Sequence, residues 1–182
     1  MSLCGIDEAG RGPIAGSLVM AGVILKKKIE GLNDSKQLSE KKREAFFPLI
    51  MENSLYHIVK FSASDIDEMG ISKCLSEGLK SIMENLKSDD FLFDGNSTFG
   101  VSGLRTMIKA DAEIPEVSAA SILAKVTRDR EMLELAEKFP EYGFESHKGY
   151  GTKTHVDAIK KHGYCEIHRK TFRLKALEPT LF

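Results

Sequence analysis

Cysteine is scarce in this chain, and its placement is uninformative for cross-linking. Cys4, Cys74 and Cys165 are odd in number and far apart, with no C-x-x-C pair. That excludes a disulfide framework and a cysteine-based zinc site, and makes a reducing cytoplasm the expected compartment. Long apolar runs are also missing. The longest, residues 15–25, is far too short to span a bilayer as a helix, so no membrane role is expected. Asp7 and Glu8 stand where the apolar core of a signal peptide would lie, so none is expected. Excess charge of one sign is absent too. The net charge is −1, which excludes a global pull toward polyanions. A nucleic-acid partner would therefore need a split surface, with a carboxylate pocket beside a basic stripe. No repeat or low-complexity linker divides the chain, so one domain over 1–182 is expected.

What is present is an ordinary globular composition, 42% hydrophobic and 29% charged. The pattern predicts strands at 3–7, 17–25 and 56–61, and shorter ones at 91–93 and 104–109. Ser39 is a plausible N-cap for a helix over roughly 40–53, with a kink at Pro48. Leu75, Leu79, Ile82, Met83 and Leu86 repeat at helical spacing. Pro115 opens a long helix whose apolar face holds Ala119, Ile122, Leu123, Val126 and Leu133. A last helix starts after Thr152 and stops at Gly163. Early strands in succession suggest an antiparallel meander; later strands, each followed by a helix, suggest parallel crossovers. The expected fold is α/β, a mixed five-stranded sheet flanked by helices on both faces. A helical C-terminal segment follows from about residue 140.

Four acids stand out: Asp7, Glu8, Asp94 and Asp111. Each adjoins a turn or an element boundary, and ligands of such sheets gather at the carboxyl ends of parallel strands. Clustered carboxylates repel unless a proton or cation intervenes, and oxygen-only ligands suit Mg²⁺ or Mn²⁺. Taken singly, Asp94 is an ordinary turn residue before Gly-Asn, and Asp111 an ordinary helix cap. Adjacent acids ending an apolar strand, as Asp7 and Glu8 do, are poorly explained by folding alone.

Gly10, Arg11 and Gly12 form a turn whose backbone N–H groups could meet a ligand, though a plain tight turn explains them as well. Ser118, Ser121, Lys125 and Arg128 recur on one helical stripe, which reads most simply as a solvated face. The segment S-H-K-G-Y-G-T-K-T-H, residues 146–155, sets Tyr150 among lysines and histidines. Tyr150 could stack on a sugar or base, or pack half-buried, while the histidines read singly as structural. Basic residues outnumber acids from Lys148 to Lys175, the expected basic side of a split surface.

Seven motifs occur in order: G-I-D-E-A-G-R-G-P from Gly5, D-S-K-Q-L-S from Asp34, D-G-N from Asp94, A-D-A from Ala110, A-A-S-I-L-A-K-V-T-R-D from Ala119, H-K-G-Y-G-T-K-T-H from His147 and H-R-K-T-F from His168. Together they resemble the ribonuclease HII family along most of the chain. The resemblance implies a ribonuclease H-like fold and cleavage of RNA–DNA hybrids and of DNA duplexes containing ribonucleotides. It implies that Asp7, Glu8, Asp94 and Asp111 are catalytic and bind two Mg²⁺ or Mn²⁺ ions. Gly10, Arg11 and Gly12 would read the ribose 2′-hydroxyl, and Tyr150 would stack near the sugar on the 3′ side. Lys36, Ser121 and Lys125 would contact phosphate or support the site. A cytoplasmic monomer acting in DNA replication and repair is expected. Three rivals share parts of the pattern: a ribonuclease HIII-like hybrid nuclease, a strand-joining transferase of the integrase kind, and a non-catalytic nucleic-acid-binding module.

Overall fold

The computed structural model describes residues 1–32 and 38–177. Five strands form one sheet: β1 (Leu3–Ala9), β2 (Leu18–Leu25), β3 (Ser54–Phe61), β4 (Asp90–Asp94) and β5 (Arg105–Met107), in the order β3-β2-β1-β4-β5. β1–β2 and β2–β3 are antiparallel, whereas β1–β4 and β4–β5 are parallel, as the order of elements implied. One connection differs from expectation. No helix follows β4; turns over 95–104 carry the chain to β5.

The helices are α1 (Glu40–Glu52), α2 (Ala63–Met69), α3 (Ile71–Asn85), α4 (Pro115–Lys138), α5 (Phe144–His147) and α6 (Lys153–His162). Their ends follow local chemistry. The Ser39 hydroxyl accepts from Lys42 N–H, Thr152 caps α6, and Pro115 occupies the first turn of α4, where a missing N–H costs nothing. α1 continues through Pro48 to Glu52.

The alternation of β2 divides the core. Leu18, Met20 and Ile24 face α3 through Leu75, Leu79 and Ile82. Val19, Ala21 and Val23 face α4 through Ile122, Leu123 and Val126, with Ile50 of α1 beside them. Both faces of the sheet are thus covered, which explains why β2 reads as continuously apolar. Burying each such side chain contributes about 1.5–3 kcal/mol. Gly5 is required at the centre: a Cβ there would lie 2.3 Å from backbone atoms of Glu116 and Val117. The start of α4 therefore rests directly on β1. Leu133 departs from its expected place and is 42% exposed. Beyond Val126, α4 packs through Met132 and Ala136 against the C-terminal segment, so the buried face no longer includes position 133.

Candidate active site

Sheet register builds the acidic side of the site. β1 and β4 run parallel with Ile6 opposite Phe93, so the next residues, Asp7 and Asp94, come side by side. Asp94 then organises the turn that follows β5. Its Oδ1 accepts from the Lys109 N–H at 3.0 Å and its Oδ2 from the Asp111 N–H at 3.2 Å. Lys109 adopts a left-handed conformation, φ 59°, which turns the chain into the short 3₁₀ segment Ala110–Ala112. Carboxylate oxygens of Asp7, Asp94 and Asp111 consequently lie within 4.8 Å of one another.

Asp7 and Asp111 are buried. Burial, reinforced by the neighbouring charges of Glu8 and Asp94, pushes the Asp7 carboxyl well above the usual carboxylate range. A hydrogen bond with Ser121 of α4 pulls it the other way. Burial raises Glu8 as well, against the pull of Arg11, whose guanidinium lies 2.6 Å from Glu8 Oε1. Glu8 Oε2 is buried with no hydrogen-bond partner among the described residues. Oxygen donors so crowded and so poorly hydrated fit a hard divalent cation.

These acids line a cleft of about 510 Å³. Gly10, Arg11, Gly12, Ser121, Lys125 and Tyr150 line it too, so every candidate residue except one meets there. The exception, Lys36, lies outside the described residues. Gly12 and Tyr150 are neighbours: a Cβ on Gly12 would sit 3.8 Å from the tyrosine ring, which is 46% exposed. Lys125 pairs with Asp129 at 2.8 Å.

A network of neutral histidines holds Tyr150 from behind. His155 Nδ1 lies 2.9 Å from the Tyr150 carbonyl, which can only accept, so that nitrogen carries the proton. His155 Nε2 must then accept from His168 Nε2 at 2.9 Å, and His168 Nδ1 accepts from the Cys165 N–H at 2.9 Å. His147 donates to the Tyr142 carbonyl at 2.7 Å and accepts from the Gly149 N–H at 3.1 Å. Burial pulls all three below the ordinary histidine value, His155 and His168 to about 4.

The residues and fold now meet their relatives. A family model for ribonuclease HII matches residues 4–175. The chain belongs to the ribonuclease HII family. It is 66% identical to the ribonuclease HII of Sulfurovum sp. (strain NBC37-1), over 99% of this chain and 96% of that protein. Among solved structures it resembles a chain from the PCNA:RNase HII complex of Archaeoglobus fulgidus, with TM-score 0.83 and 30% identity, covering 100% of this chain and 98% of that one. The ribonuclease H2 of Pyrococcus horikoshii OT3 follows with TM-score 0.80 and 31% identity, covering 94% of each chain. The mixed sheet is thus a ribonuclease H-like fold, and the chain is a ribonuclease H of type HII, an endonuclease of a divalent-metal-dependent family. Among the described residues, no helix is long and apolar enough to cross a membrane.

The helical stripe on α4 is not the solvated face that its spacing suggests. Ser118 and Arg128 are not solvated; they are 0% and 1% exposed. The Ser118 hydroxyl donates to the Leu32 carbonyl, and Arg128 reaches into backbone carbonyls of the loop after β1. Polar spacing cannot distinguish water from a waiting carbonyl. Arg43 of α1 also lines the cleft. In the sequence nothing marks it, since E-K-K-R, residues 40–43, reads as an ordinary charged first turn.

Proposed function

We propose that this chain cuts the RNA strand of RNA–DNA hybrids and cuts DNA duplexes on the 5′ side of embedded ribonucleotides, leaving 3′-hydroxyl and 5′-phosphate ends. The observation that carries this reading is the meeting, in one cleft, of the acidic cluster with the Gly10–Gly12 turn and Tyr150. An acidic pocket alone would suit many phosphodiester reactions. A backbone turn and an exposed aromatic beside it add the means to recognise a sugar.

Asp7, Glu8, Asp94 and Asp111 would hold two divalent ions, Mg²⁺ or Mn²⁺. When bound, these ions supply a nucleophile from water and stabilise charge developing on the leaving oxygen. The protein's own groups do the rest. N–H groups of the Gly10–Gly12 turn meet the 2′-hydroxyl, the one group that separates ribose from deoxyribose. Tyr150 stacks on the following sugar, selecting a deoxyribonucleotide on the 3′ side. Ser121 orients the Asp7 carboxylate, while Lys125 and Arg11 offer positive charge to the phosphate. Lys36 is assigned a phosphate contact by its motif alone.

The segment from about residue 140 belongs, in this reading, to a single catalytic domain over 1–182 and carries the sugar-side contacts. The task is removal of misincorporated ribonucleotides during DNA replication and repair, by a cytoplasmic monomer. A DNA duplex with one ribonucleotide, incubated with Mg²⁺ or Mn²⁺ and again with chelator, tests this directly. Cleavage 5′ of the ribonucleotide that the chelator abolishes is expected; an intact duplex in both metals overturns the reading.

A further inference from the structure

Arg128 and Arg169 are the largest fully buried side chains, each 1% exposed. Among the described residues neither forms an ion pair with a carboxylate. Their six N–H contacts, three from each guanidinium, all go to backbone carbonyls. Arg169 Nη2 donates to Gly10 O at 2.6 Å, Nη1 to Arg11 O at 3.2 Å and Nε to Gly16 O at 3.0 Å. Arg128 Nε donates to Ser17 O at 2.9 Å, Nη2 to Ala15 O at 3.0 Å and Nη1 to Lys148 O at 2.8 Å. Burying two neighbouring cations without an anion is unfavourable. Burial, with Arg128 adding to it, pulls the Arg169 guanidinium down to about 10. An apolar pair would join the same segments at lower cost.

The geometry explains the choice of arginine. In a trans peptide the C=O of one residue and the N–H of the next point in opposite directions. Holding the Gly10 carbonyl inward turns the Arg11 N–H outward, and holding the Arg11 carbonyl inward does the same for the Gly12 N–H. Lys148 illustrates the rule: its carbonyl faces Arg128, while the Gly149 N–H faces the opposite way, to His147 Nδ1. Only a planar fork with several donors can fix consecutive peptide planes together.

We propose that Arg128 and Arg169 are positioning residues for ribose recognition, which aim the N–H groups of Arg11 and Gly12 into the cleft and lock that turn to the segment bearing Tyr150. The inference rests on the proposed reading of the 2′-hydroxyl by Gly10–Gly12. It predicts that the arginines govern discrimination between ribose and deoxyribose, beyond any effect on folding.

The test uses Arg169→Lys and Arg128→Lys, which keep the positive charge and lose the fork. Each full-length protein cleaves a duplex with one ribonucleotide while an all-DNA duplex of the same sequence competes. The ratio of the competitor's inhibition constant to the substrate KM measures discrimination. Because both constants come from the same active molecules, a partly unfolded preparation does not change the ratio. The expected result is a fall of about fivefold or more in both variants, the loss of roughly one well-aligned hydrogen bond, carried by KM rather than kcat. Ratios within about twofold of wild type in both variants, whatever happens to Tm, overturn the proposal and leave the arginines as staples. A wild-type ratio near one means instead that the turn does not read the sugar, and the proposal falls with that premise.

Discussion

On one wall of the cleft the carboxylates of Asp7, Asp94 and Asp111 crowd within 4.8 Å of one another. On the other, the Gly10–Gly12 turn is backed by the guanidinium groups of Arg128 and Arg169, buried against backbone carbonyls. Both walls bury charge, but of opposite sign: carboxylates crowd one, and guanidinium groups held by neutral carbonyls back the other. Three backbone carbonyls hold each arginine among the described residues, and these six hydrogen bonds brace that wall. The acidic wall keeps a raised Asp7 carboxyl and a buried Glu8 oxygen with no hydrogen-bond partner among the described residues, a donor set that fits a divalent cation. Under the proposed function, the arginine-backed wall serves recognition and the acidic wall serves chemistry.

The sharpest way to break this contrast is Asp7→Asn. Cleavage of the single-ribonucleotide duplex should fall by roughly a thousandfold or more. In chelator the variant should melt no lower than wild type, because crowded charge is relieved. Near-normal turnover would remove the acidic wall from the mechanism.

Gly10→Ala probes the braced wall. The new Cβ would lie 2.2 Å from Arg128 Nε and 2.5 Å from the Ser17 carbonyl, at φ +91°, where side chains are strained. Urea unfolding should show a loss of about 2–4 kcal/mol. A loss below about 1 kcal/mol would mean that the wall yields easily.

The acids and the histidines behind Tyr150 respond oppositely to pH. His155 and His168 fall from 6.5 to about 4 on folding, so their stabilising contribution is complete above pH 6.5 and is lost as pH falls toward 4. Each costs up to about 1.4 kcal/mol per pH unit across that window. Asp7 and Glu8, raised on folding, act in the opposite sense and favour the folded state as pH falls. In chelator, unfolding midpoints at pH 7, 6 and 5 should therefore decline, and more steeply in Asp7→Asn than in wild type. A flat profile in both proteins would contradict the neutral histidine network.

Tyr150→Ala should produce the smallest change, and the most selective. Cutting at one embedded ribonucleotide should fall about tenfold more than cutting of a long hybrid. Equal loss on both substrates would assign Tyr150 to general binding.

Much of this was legible before folding. Ser39, Pro115, Thr152 and Gly163 bound their helices because caps and stops act through immediate neighbours. α2 is not legible in the same way, since A-S-D-I-D-E-M has little apolar period; the Ser62–Asp65 capping box is its local signal. The candidate residues were recognisable as motifs, and all those within the described residues line one cleft. Arg128 looks solvated from the sequence because helical spacing shows which residues share a stripe, not what covers it.

Residue order alone determined the strands, the caps, the family motifs and the placement of acids near strand ends, because each depends on groups a few positions apart. Tertiary structure decided that Ile6 pairs with Phe93, so that Asp94 stands beside Asp7. It also decided that α4 lies beneath the turn after β1, converting a polar stripe into buried donors. Those outcomes depend on register and layer packing between segments distant in the chain, where no local preference reaches.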